Sequence, residues 1–126
     1  MRYWQEYCKA AYDLVLESEG MSHTFLQHEV EAYIVHLFAR NFNRTDIGTQ
    51  PIALQILEAK RHKKFEPIAD ECLLINSFPL KRMKWPSETY YLELGITAYS
   101  MANNDSMSEN FEPASKVLHT IFKRIG

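Results

Sequence analysis

Six stretches of this chain place their apolar residues three and four positions apart, and none alternates apolar with polar residues over the length of a strand. That spacing puts each apolar set on one face of a helix, and β-branched runs that would favour strands are missing. The prolines Pro51, Pro67, Pro79, Pro86 and Pro113 stand at the edges of the stripes rather than inside them, where they would break hydrogen bonding. The expected fold is therefore all-α, a single compact bundle of five or six helices over residues 1–126.

The first expected helix runs from Tyr3 to Glu17, with Trp4, Tyr7, Cys8, Ala11, Leu14 and Val15 on one face and Glu19-Gly20 as its stop. Ser22 and Thr24 compete as caps of the second, Thr24 and Gln27 having capping-box spacing, and the stripe Leu26, Val30, Tyr33, Ile34, Leu37, Phe38 follows. A loop over 41–48 leads to a third helix over 51–61, with Ile52, Ala53, Ile56 and Leu57 facing inward. Pro67 opens the fourth, whose apolar positions Ile68, Ala69, Cys72, Leu73, Leu74 and Ile75 cover most of its circumference, so it is expected to be central. The fifth starts at Pro86-Ser87-Glu88 and carries Tyr91, Leu94, Gly95 and Ala98. Gly95 costs about 1 kcal/mol against alanine inside a helix, which points to a close crossing there. After a loop over 103–106, the sixth runs from Pro113 to Arg124 with Ala114, Val117, Leu118, Ile121 and Phe122 in step. The bulk of the core is expected from the second, fourth, fifth and sixth.

At 126 residues and 14.8 kDa, such a chain buries about two thirds of its extended surface without disulfides or metal. The longest apolar runs span a few residues, as at Cys72-Leu73-Leu74-Ile75, against about 20 for a membrane helix. Residues 1–20 carry four acidic side chains, unlike the basic, then apolar order of a secretory signal. A cytoplasmic location is expected, with no membrane partner. Cys8 and Cys72 have no CxxC spacing and read as reduced core residues.

Charge is uneven. Lys60, Arg61, Lys63, Lys64, Lys81, Arg82 and Lys84 face three acidic residues between positions 60 and 84, a balance of +4, while the remainder carries −6. Two basic clusters flanked by Phe65 and Trp85 form a candidate polyanion patch. With an overall charge of −2 and no nucleic-acid-binding motif, solvated helix and loop ends explain them better, and nucleic acid ranks low as a partner. Five histidines invite a metal search. His28-Glu29 begins like HExxH, but position 32 is Ala32, and His28 and His36 lie about 80° apart around their helix. No metal ligand, cofactor or catalytic residue is assigned. No GxSxG, GxGxxG or P-loop spacing occurs. The best convergent polar set is a candidate ligand pocket of Tyr33, His36, Tyr91 and Tyr99, with Trp4 and Tyr7 as further aromatic candidates.

The segments Glu29-Val30-Glu31-Ala32-Tyr33-Ile34-Val35, Asp70-Glu71-Cys72-Leu73-Leu74-Ile75-Asn76-Ser77-Phe78-Pro79 and Tyr90-Tyr91-Leu92-Glu93-Leu94-Gly95-Ile96-Thr97-Ala98-Tyr99 follow in that order. Together they resemble a group of small, functionally uncharacterised bacterial all-helical proteins whose pattern reads E-x-E-A-Y-L-V, D-x-x-L-x-I-S-G-F-F-P and Y-Y-I-x-M-G-x-x-A-Y. The matching segments cover under a third of the chain, and Ser77 replaces the usual glycine, with one residue lost after it. The resemblance implies a bacterial cytosolic helical protein, supplies no activity, and draws attention to Tyr91, Gly95 and Tyr99. The function favoured is a non-enzymatic protein-interaction module, in one form a homodimer. The alternative is a small-molecule binder or enzyme using the tyrosine and histidine pocket.

Overall fold

The computed structural model describes residues 2–78 and 88–125, all of whose regular structure is helical. Seven helices appear: α1 (Arg2–Ser22), α2 (His28–Asn41), α3 (Ile52–His62), α4 (Glu66–Ser77), α5 (Glu88–Met101), α6 (Asp105–Glu109) and α7 (Phe111–Ile125). The extra helix is α6, which begins in the loop expected over 103–106 and runs on to Glu109. Asn104 caps it by accepting from the Met107 N–H, and Met107 is buried beneath it.

α1 ends beyond the sequence expectation, and α3 and α5, which end close to theirs, close in the same way. α1 continues through Gly20 to Ser22 and closes with His23 in the left-handed region, φ 53°, where the Thr24 N–H reaches the Glu19 carbonyl at 3.0 Å. Lys63 closes α3 at φ 54° and Asn103 closes α5 at φ 61°, each again followed by an N–H donated back into the last turn. These are glycine-type C-terminal closures made by side-chain-bearing residues. Thr24 is consequently consumed in the turn, and α2 begins at His28 after Gln27, without a side-chain cap. α7 begins at Phe111, two residues before Pro113, which fits because the first turn needs no N–H there.

α4 and α5 form the most extensive pair, α1 packs on α2, and α7 touches α1, α2, α4, α5 and α6. Phe111, Ala114, Ser115, Val117, Leu118, Ile121 and Phe122 of α7 are all buried, a full helical stripe at the centre of the core. Around them lie Val15, Val30, Ile34, Leu37, Leu73, Leu74, Tyr99 and Met107, each under 2% exposed. Gly95 lies where α5 crosses the start of α7: a Cβ there would meet Phe111 Cε2 at 2.3 Å and Cys72 Cβ at 3.1 Å. α4 and α7 are further joined by polar bonds, Asn76 Nδ2 to Ser115 Oγ at 2.9 Å and Ser77 Oγ to Ser115 Oγ at 3.1 Å. α3 makes its principal contacts with α4, burying Ala59 while Ala53, Leu54 and Leu57 remain exposed, so the expected inward positions of Ala53 and Leu57 are not observed.

Candidate functional site

Asp70 on the first half of α4 is the focus of one site. Tyr33 on α2 and Tyr99 on α5 both donate to its Oδ1, at 2.5 and 2.7 Å, and the two rings meet edge-on at 5.8 Å. Burial pushes the Asp70 carboxyl above the usual carboxylate range, the two hydroxyls opposing that rise. Both tyrosine hydroxyls are pushed upward by burial and by the neighbouring carboxylate, so they remain donors at any ordinary pH.

Beside Asp70 opens a cleft of about 380 Å³ between α2, the 42–51 loop, α3 and α4. Leu37 and Leu74 lie at its floor, while Arg40, Gln50, Gln55 and Asp70 line its polar sides. One wall is fixed by Arg44, whose guanidinium grips the buried Glu71 carboxylate with two bonds at 3.0 and 3.1 Å and also reaches Asp46 and Asn41 at 2.9 Å. The bond to Glu71 raises the Arg44 pKa further, and Arg44 lowers that of the exposed Asp46. Glu71 also accepts from the Gly48 N–H at 3.3 Å, tying the loop to α4. Bidentate geometry holds this wall in one orientation. Arg40 is placed differently: among the described residues its Nε donates to the His36 carbonyl of its own helix, at 3.2 Å.

A second feature is apolar. Tyr3, Trp4 and Tyr7 on the first two turns of α1 are 74%, 41% and 50% exposed, and Phe42 just beyond α2 is 41% exposed. Tyr7 meets Phe42 at 5.7 Å between ring centroids. From Phe42 the rings continue inward through Phe38 to Phe122 and Phe78. The sequence expectation that Trp4 and Tyr7 lie on the buried face of α1 is thus corrected; that face closes only from Cys8 and Ala11 onward.

Of the four residues expected to share a pocket, the structure brings together Tyr33 and Tyr99. His36 is exposed and packs against Trp4 at 6.3 Å, on another side of α2. Tyr91 is half-buried against Tyr90 at 5.3 Å, and none of the four lines the cleft, which Tyr33 and Tyr99 reach only through their bonds to Asp70. Lys60, Arg61, Lys63 and Lys64 are exposed at the end of α3, while Lys81, Arg82 and Lys84, with Trp85, lie outside the described residues. Cys72 is buried, its thiol pushed up to about 12 by that burial, which fits an inert core residue. Among the described residues no three His, Cys, Asp or Glu side chains converge as metal ligands, and no helix is long and apolar enough to cross a membrane.

Sequence reasoning passed over Asp70, Arg40 and Arg44. One signal was present for Asp70: it precedes the buried Leu73 and Leu74 by three and four positions, so it shares their side of α4 and needs donors there. Comparison of the chain with protein-family models, with curated proteins and with solved structures gave no match.

Proposed function

We infer that this chain is a non-catalytic interaction module that pairs with a second copy of itself through the first two turns of α1. The observation carrying this reading is the contiguous exposure of Tyr3, Trp4, Tyr7 and Phe42. Single exposed apolar residues are ordinary, but four large aromatic side chains in one patch resemble the anchors of protein interfaces. A like partner is the simplest closure for such a face, since a two-fold axis sets the same patch of each copy against itself. A cytoplasmic, bacterial setting belongs to the same reading and rests on the sequence alone, its bacterial part on the resemblance.

Light scattering across a concentration series tests it. A dimer is expected for the unaltered chain, and a monomer with unchanged helicity in native buffer for the Trp4→Lys, Tyr7→Lys double variant. A chain that stays monomeric throughout, or a double variant that still dimerises, overturns the reading.

A further inference from the structure

The cleft beside Asp70 is separate from the aromatic face, since none of Tyr3, Trp4, Tyr7 or Phe42 lines it. Its polar groups divide into those already engaged and those facing the space. Arg44 and Glu71 satisfy one another. Asp70 spends part of its acceptor capacity on two tyrosine hydroxyls, at a single oxygen, and an ionised carboxylate has about four acceptor sites. Arg40 spends one of five donors on its own helix.

Arg40 and Asp70 are close enough for the guanidinium to favour the ionised carboxylate, yet among the described residues they form no ion pair with each other. A fixed negative group and a positive group therefore stand across a small space, with the Gln50 and Gln55 carboxamides beside them. Two hydroxyls anchoring one carboxylate oxygen give that group a set position, which a merely solvated surface acid lacks. A volume of about 380 Å³ lies at the lower end of small-molecule sites.

We propose that this cleft binds a small zwitterion of the α-amino-acid class, its ammonium group on Asp70 and its carboxylate on Arg40. An anion alone would leave Asp70 facing it as a like charge, and a cation alone would meet Arg40 in the same way. A ligand carrying both charges satisfies both groups, and the two glutamines remain to contact a polar side chain.

The test is calorimetric titration with the standard L-amino acids, each also as its N-acetyl and its C-terminal amide derivative. At least one free amino acid is expected to bind saturably, and either capped form should bind about tenfold or more weakly, the loss expected when a charge-assisted hydrogen bond goes. Arg40→Gln, at an exposed position, should give the same loss toward the free amino acid while leaving the affinity of the C-terminal amide unchanged. Asp70→Asn, whose amide oxygen still accepts from both tyrosines, should spare the N-acetyl form in the same way. No binding by any free amino acid overturns the proposal. So does equal binding of the N-acetyl form, which would make this an anion site on Arg40, or of the amide, which would make it a cation site on Asp70.

Discussion

Glu19→Gln tests how the corner between α1 and α2 is held. Glu19 is 3% exposed; its Oε2 accepts from the Leu26 N–H at 2.8 Å, while its Oε1 is buried with no donor. The Glu31 carboxyl is its neighbour, and two nearby carboxyls disfavour a second negative charge. Burial first, and Glu31 second, push the Glu19 carboxyl from 4.5 to about 7, against the Leu26 N–H and His28, which favour the charged form. His28 also pairs with Glu31 at 3.3 Å. Between pH 4.5 and about 7 the folded chain thus holds a proton at Glu19 that the unfolded chain releases. The stability due to this group is fully present below the lower value and declines until the upper one is passed. The full displacement has a ceiling of about 3 kcal/mol. Exposed Gly20 and Met21 bring water close to this corner, so about 1 to 2 kcal/mol is expected. Glutamine keeps the acceptor for Leu26, supplies a permanent donor toward Glu31, and has no charge to desolvate. Urea unfolding at about pH 5 and about pH 8 should show a smaller acid-to-base fall in stability for the variant than for the parent. The other carboxylates and histidines are common to both proteins and cancel in that difference. Equal falls would refute the raised Glu19 carboxyl.

At Gly95 an alanine gains about 1 kcal/mol of helix propensity but drives its methyl to 2.3 Å from the Phe111 ring; a net loss of about 1 to 3 kcal/mol is expected. A higher melting temperature would place the α5–α7 crossing elsewhere. Arg44→Gln removes both bonds that Arg44 makes to the buried Glu71 and should cost about 2 kcal/mol, below the range for fully buried pairs because Arg44 is 31% exposed. In the Arg44→Met, Glu71→Met double variant most of that loss should be recovered, and a strictly additive double variant would deny the coupling. Glycine at His23 or Lys63, both in the left-handed region, should stabilise by about 0.5 to 1 kcal/mol in chemical denaturation. Destabilisation at both would contradict the closures described for α1 and α3.

The helical class was legible because periodicity is local: Ile34, Leu37, Phe38, Val117, Leu118 and Ile121 reveal their burial by spacing alone. Gly95 was legible too, since a residue that weakens a helix calls for a packing reason, and Phe111 supplies it. The end of α1 was not. The rule that glycine closes helices directs attention to Gly20, where an added Cβ would meet nothing within 4 Å. The closure falls instead on His23, in the left-handed region, which carries a backbone cost for a residue with a side chain. Gly20 can therefore stay inside α1, because Val15 and Ser18 are fully buried and Glu19 nearly so, fixing the last turns against the bundle.

The site was less legible than the fold because its bonds join distant parts of the chain. Arg44 and Glu71 are 27 residues apart, Tyr99 and Asp70 are 29 apart, and Tyr33 and Asp70 are 37 apart. Spacing within a helix says which residues share a face; it does not say which faces meet. Two of the four expected pocket residues, Tyr33 and Tyr99, still proved to be neighbours, because a tyrosine on an inner stripe must find an acceptor for its hydroxyl. The acceptor was Asp70, and with it came the cleft. His36 failed on the same reasoning, since α2 turns it away from that stripe onto Trp4. A polar residue on an apolar stripe therefore identifies a bond that has to be made, and the search for its partner belongs on the inner faces of the other helices. On α4 that search leads to Asp70, three positions before Leu73 and four before Leu74.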